Sequence, residues 1–349
     1  ILVFTLFGYS CFIPSSINKE SQAEILLSDL SIQEKVGQMF MLRYRGEFYR
    51  EDAYVLKNVK RLITDHHIGG IISYFGSVYG TIENLNELQS FSEIPLLVAA
   101  DYERGVGQHL DGGTLFPSNM AMAATGDTQL SYEQGKVTAL EARAVGVHVT
   151  FAPVMDVNSN ANNPIINFRS YGDSPEIVSK YGNAFIKGAQ DNGLIACVKH
   201  FPGHGDTGVD SHTTLPVIVS EEKKFRMIDL PPFKEAIDAG VKMVMTAHIS
   251  VPVLDESRLP ATLSNKISEK ILRDEFGFEG IIVTDAMEMG GITETFWSAE
   301  AAIRTIEAGS DIILLPLDND TAIKGVINAI KNGRISEKRI DQSVQKILD

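Results

Sequence analysis

Eight short apolar runs punctuate the chain, at residues 36–42, 70–75, 95–100, 145–153, 194–198, 241–246, 280–284 and 311–317. Apolar character that is nearly continuous over so few residues means burial on both faces, the condition of parallel strands covered by helices. Between the runs lie segments of helical period that open on Ser or Ala and close on Gly or Ala, at 131–144, 174–193, 220–240, 264–277 and 299–309. This alternation predicts an α/β chain, and eight units closing on themselves predict a TIM (β/α)8-type barrel in a single domain. An open doubly wound sheet is the alternative, but no glycine-rich phosphate fingerprint follows the first run. No linker rich in Pro, Gly or Ser divides residues 17–349, and 335–348 reads as a closing amphipathic helix.

A barrel makes a statement about polar residues, because such folds build their sites at the carboxyl ends of the strands. Asp101, Asp156, the pair Lys199 and His200, His248 and Asp285 each stand at the end of a different apolar run. Asp285 reads either as a nucleophile or base aimed at the barrel mouth, or as an N-cap of the next turn. His248 reads as a hydrogen-bonded core histidine.

The net charge of -14, with no basic cluster, argues against a nucleic-acid partner and leaves a small neutral ligand open. Of the two cysteines, Cys197 lies inside an apolar run and is expected as a buried free thiol. Residues 1–16 read as an export-signal remnant or a disordered N-terminus, too short for a membrane span of roughly 20 residues. The stretch before Cys11 has glycine where a lipid-anchor signal has leucine, which leaves a lipid anchor as an option. Export to the periplasm or cell envelope is the expectation, with the cytoplasm as the alternative.

The densest chemistry is the fourteen-residue segment K-H-F-P-G-H-G-D-T-G-V-D-S-H from Lys199 to His212. Pro202, Gly203, Gly205 and Gly208 forbid both strand and helix, so Lys199, His200, His204, Asp206, Asp210 and His212 are expected on a loop leaving a strand. Asp210 and His212, two apart in an extended loop, point the same way, and a carboxylate that orients an imidazole makes a proton shuttle. A metal held by His200, His204, Asp206 and His212 is the weaker alternative, since the spacing matches no common zinc signature; no metal and no cofactor is expected. Lys199 and His200, with Asp101 and Arg169, supply the mixed donors and acceptors that a sugar's hydroxyls require, the alternative for Arg169 being a surface salt bridge.

K-H-F-P-G-H-G-D-T, then D-S-H, then V-T-D-A-M-E-M at Val283 to Met289 resemble glycoside hydrolase family 3, in its β-N-acetylglucosaminidase branch that acts on peptidoglycan fragments. A-A-D-Y-E-R-G at Ala99, F-A-P-V-M-D-V-N at Phe151, N-F-R-S-Y-G-D at Asn167 and M-V-M-T-A-H-I at Met243 extend the likeness over nearly the whole chain. The resemblance implies a retaining exo-β-N-acetylhexosaminidase in which Asp285 forms a covalent glycosyl-enzyme and His212, oriented by Asp210, serves as acid/base on a mobile loop. It also implies that Asp101, Arg169, Lys199 and His200 grip the terminal sugar, an N-acetylglucosaminide, and that the barrel suffices without a second domain. A phosphorylase and a catalytically idle glycan-binding module are the competing readings. One stretch departs: where the branch commonly reads D-x-E-G-G-R-V-x-R-L, this chain has Arg104 in place of a glycine and Val106 and His109 in place of arginines.

Overall fold

The computed structural model describes residues 21–349, so the reading of residues 1–16 and the question of Cys11 lie outside the described residues. Eight barrel strands follow the eight runs: β1 Phe40–Gly46, β2 Gly70–Ser77, β3 Leu97–Ala100, β4 Val149–Thr150, β5 Ile195–Phe201, β6 Met243–Thr246, β7 Ile281–Thr284 and β8 Ile313–Leu314. Neighbours in the sequence pair in parallel from β1 to β7, and β8 pairs in parallel with β1. A parallel bridge from Val283 to Ile312 closes the ring, and the Asp311 N–H donates to the Ile282 carbonyl at 2.8 Å. The expected barrel is present, with helices such as Tyr54–His66, Thr128–Ala144, Pro175–Gln190 and Ser298–Ala308 between consecutive strands.

The strand pleat sorts side chains into two cores. Met41, Cys197, Met243 and Met245 point into the barrel, while their neighbours Leu42, Val198 and Val244 pack outward against the helices. Cys197 is free and buried as expected, and burial pushes its thiol well above the usual range, so it acts as packing.

Four boundaries differ from the expectation. Val36 belongs to the helix Ile32–Gln38, because Ser31 and Glu34 form a reciprocal capping box that captures it. The helix expected over 220–240 is two, Glu222–Ile228 and Pro231–Asp238, since Pro231 and Pro232 supply no N–H to continue the first. A two-residue strand, Leu110–Asp111, adds to β2. Lys199 and His200 lie within β5 rather than on the loop after it. The strand tolerates them because both find charged partners at its mouth end.

After β5 the chain turns sharply under the segment that follows β4. A Cβ on Gly205 would lie 1.7 Å from the Val157 carbonyl oxygen, a contact that only backbone movement relieves. Gly205→Ala is therefore expected to lower stability by about 1–3 kcal/mol, read as an earlier urea-unfolding midpoint with an unchanged slope.

Candidate active site

At the carboxyl ends of the strands lies a cavity of about 430 Å³, and Asp101, Arg169, Lys199, His200, His212 and Asp285 all line it. Asp210 stands behind His212. The seven residues singled out in the sequence, distant along the chain, thus meet at one barrel mouth.

The floor is an ionic cluster. Lys199, with a side chain only 3% exposed, places Nζ 2.6 Å from Asp101 Oδ1 and 2.8 Å from Glu103 Oε1. Arg169 donates to the same Glu103 twice, from Nη2 to Oε1 at 2.7 Å and from Nε to Oε2 at 3.0 Å. Arg169 is therefore no surface salt bridge. Tyr74 donates its hydroxyl to Asp101 Oδ2 at 2.9 Å, and burial with the neighbouring carboxylate drives that phenol well above its usual range. Burial of Glu103 works to raise its pKa, but Arg169 and Lys199 overcome it and hold the carboxyl well below the usual range. Burial likewise works against the Lys199 charge, and Asp101 and Glu103 outweigh it, so the ammonium is retained.

Glu103 and Tyr74 are absent from the sequence-derived set. Glu103 stands two residues after Asp101, a spacing that gives two side chains one direction in extended chain, and that signal was available. The Tyr74 contact had none.

A second buried cluster roots the loop. Asp156 is fully buried and accepts from the His204 amide at 2.6 Å, with its Oδ2 lying 2.7 Å from His200 Nδ1. His204 is braced by Thr207 Oγ1 at 2.8 Å and Ser211 Oγ at 2.9 Å, and burial, with His200 alongside, lowers its pKa to about 4. His204 is thus a neutral strut. Asp206 pairs outward with Lys224 at 2.9 Å. The four side chains of the alternative metal reading are therefore each engaged with different partners.

Further along the loop, His212 Nδ1 lies 2.7 Å from Asp210 Oδ1, which also accepts the His212 amide at 2.8 Å. The pair is open, with the two side chains 60% and 38% exposed. Residual burial favours a neutral Asp210, but the bonds from His212 prevail and lower its pKa. Gly290 and Gly291 donate their amides to the His212 and Ser211 carbonyls at 3.1 and 3.2 Å. A Cβ on Gly290 would sit 2.4 Å from the Thr213 carbonyl oxygen, so glycine is what lets the segment after Asp285 reach the loop.

Asp285 follows β7 and is half-buried. Its Oδ1 accepts the Ala286 amide at 2.8 Å, so it is not the N-cap of a following helix. Burial would raise the carboxyl, yet His200, His248, that amide and Lys199 together hold it below its usual range. His248 is the buried, hydrogen-bonded histidine expected: Nε2 lies 3.0 Å from the Ala286 carbonyl and Nδ1 lies 2.9 Å from Thr262 Oγ1. It pins the peptide next to Asp285.

Residues 31–349 match the family model described as the glycosyl hydrolase family 3 N terminal domain. Beta-hexosaminidase A of Pseudoalteromonas piscicida is 36% identical over 354 residues, covering 92% of this chain and 57% of that protein. Among solved structures, a glycoside hydrolase family 3 beta-N-acetylglucosaminidase from Paenibacillus sp. str. FPU-7 superposes with a TM-score of 0.86 at 40% identity, over 91% of this chain and 62% of that one. A beta-glucoside phosphorylase, solved with 2FGlc bound, superposes with a TM-score of 0.87 at 30% identity, over 93% and 59%. The chain thus spans little more than half the length of the first curated relative it matches.

Glu103 has a depressed pKa in the fold against about 4.3 when unfolded. Its pairing therefore stabilises the fold above that pH and is lost as pH falls through the depressed value. Glu103→Gln, which leaves Lys199 and Arg169 short of a counter-charge, is expected to cost about 3 kcal/mol at pH 7. Urea unfolding across pH 3–7 should show a shallower acid decline in the variant than in the parent.

Proposed function

The chain belongs to glycosyl hydrolase family 3, and from that premise we propose that it is a retaining exo-β-N-acetylhexosaminidase. Its substrates are peptidoglycan fragments or related glycosides, from which it releases terminal N-acetylglucosamine. The observation that carries this reading is that a carboxyl held below its usual range, Asp285, and an imidazole with its own carboxylate, His212, line one cavity whose floor is a charged cluster suited to hydroxyls.

In this mechanism Asp285 attacks the anomeric carbon as the glycosidic C–O bond breaks, and His212 gives its proton to the departing oxygen. The sugar is then an ester of Asp285. His212, now neutral, takes a proton from water; that water attacks the same carbon and the ester bond breaks, which restores the carboxylate. Because Nδ1 faces Asp210, Nε2 is the ring atom left to move the proton. Asp101, Arg169, Lys199 and His200 hold the hydroxyls of the terminal sugar, and the likeness to the Paenibacillus beta-N-acetylglucosaminidase favours an N-acetylated one.

A second reading, a β-N-acetylglucosaminide phosphorylase, is favoured by the likeness to the beta-glucoside phosphorylase. A histidine acid/base leaves the site less anionic toward phosphate than a second carboxylate would. Turnover in phosphate buffer separates the two: glycosyl phosphate among the products identifies the phosphorylase, and its absence with unaltered rate the hydrolase.

Mass spectrometry of protein trapped with a 2-fluoro sugar is expected to find the label on Asp285; a label on any other residue overturns the mechanism. Asp285→Asn should lose on the order of 10³-fold or more in kcat. Asp210→Asn, which keeps the bulk but not the charge beside His212, should lose on the order of 10²-fold to 10⁴-fold in kcat with a smaller change in KM.

A further inference from the structure

Four carboxylates and four cations line the cavity. Asp101 and Glu103 share Lys199, Glu103 also holds Arg169, and Glu288 holds Arg43 at 2.6 Å. Asp285 is the carboxylate proposed to react. The fourth cation, Arg104, makes no ion pair among the described residues, although it belongs to a chain of net charge -14. It is also one of the residues, with Val106 and His109, at which the segment after β3 departs from the branch pattern, arginine standing where glycine is frequent.

The backbone there is clamped from both sides. Arg104 donates its N–H to Gln108 Oε1 at 2.9 Å, and its carbonyl accepts the Phe116 N–H at 2.9 Å. Gly105 has φ +86, and a Cβ there would lie 2.4 Å from the Thr114 carbonyl oxygen. The Arg104 side chain thus leaves a fixed point on the cavity wall. Phe168 lines the same cavity and is 52% exposed, an apolar ring left in water beside Arg169, whose own side chain is anchored on Glu103. On the hexosaminidase reading the ionic floor takes one sugar ring, and Arg104 and Phe168 are among the lining groups outside it, the one an unpaired cation and the other an exposed ring.

We infer that Arg104, with Phe168, forms the subsite for the leaving group, and that this subsite selects a second sugar ring bearing a carboxylate. A planar guanidinium pairs with a carboxylate through two parallel hydrogen bonds, and an aromatic ring covers the apolar face of a pyranose. The inference rests on the hexosaminidase reading.

The test uses two disaccharides, each with N-acetylglucosamine β-linked to a second ring that is glucose in one and glucuronic acid in the other, together with the p-nitrophenyl β-N-acetylglucosaminide. The parent is expected to favour the acidic disaccharide by about tenfold in kcat/KM at low salt, and less as salt screens the pair. Arg104→Gln should bring that ratio near one, and Arg104→Lys should keep part of it. A merely structural role would lower both substrates together and leave the ratio alone. Phe168→Ala should lower kcat/KM on both disaccharides with the ratio intact.

A parent that treats the two disaccharides alike, or a ratio unmoved in Arg104→Gln, overturns the inference while p-nitrophenyl release keeps the hexosaminidase reading. Failure of the parent to release p-nitrophenol strikes that reading instead. Acceleration by free phosphate that disappears in Arg104→Gln would assign the guanidinium to phosphate and overturn the acidic subsite.

Discussion

Glu103 is the constraint on which the barrel mouth depends. Its carboxylate takes Arg169 from the segment after β4 and Lys199 from β5, so one side chain following β3 ties three consecutive strand ends. Burying a lone charge costs several kcal/mol, and the cost is offset only where every charge finds partners. With Asp101, the cluster is two carboxylates and two cations, and it balances. Removing any member leaves a charge of the cluster uncompensated, so the cluster adds a tie between strand ends whose own pairing is only two residues long at β4.

That rigidity is what a polyhydroxyl ligand asks for. Charged groups already held by one another can still accept or donate to hydroxyls, and they do so without losing rotamer freedom at the moment of binding. The same potential reaches Asp285. Burial works to raise its pKa, whereas His200, His248, the Ala286 amide and Lys199 together hold it below the usual carboxylate range. Lys199 thus takes part both in the ionic floor and in the field that acts on Asp285.

The strands were legible because burial on both faces leaves a run of apolar letters whatever the partner. Boundaries were less so, and for local reasons: the Ser31–Glu34 box moved Val36 into a helix, and Pro231 split another. The largest misreading, Lys199 and His200 as loop residues, came from polarity. Hydrophobic pattern cannot register a charged side chain whose partners arrive from other strands, and Lys199 is a strand residue because Asp101 and Glu103 stand opposite it. Glu103 shows the converse: its direction was readable from its distance to Asp101, but its importance lies in Arg169, 66 residues away. Contacts at that separation leave no trace in spacing.

The loop after β5 is held at two places and open between them. Its root is fixed by His204 against Thr207 and Ser211, and its far end by the amides of Gly290 and Gly291, while Gly208 and Val209 are exposed. Asp210 also orients His212 locally: it binds both the ring and the amide of His212, and its carbonyl accepts from Thr213. One turn of chain therefore carries the imidazole and its orienting carboxylate together. Gly290 holds the His212 carbonyl as well, so the exposed tip at Gly208 and Val209 can shift while the ring keeps Nδ1 on Asp210 and Nε2 free. Nothing of the kind is asked of Asp285, which is fixed to the end of β7 by its own amide and pinned beneath by His248. A carboxylate fixed at the end of a strand and an imidazole that brings its own orienting carboxylate line one cavity, an arrangement that tolerates motion of the loop tip without losing the orientation of either group.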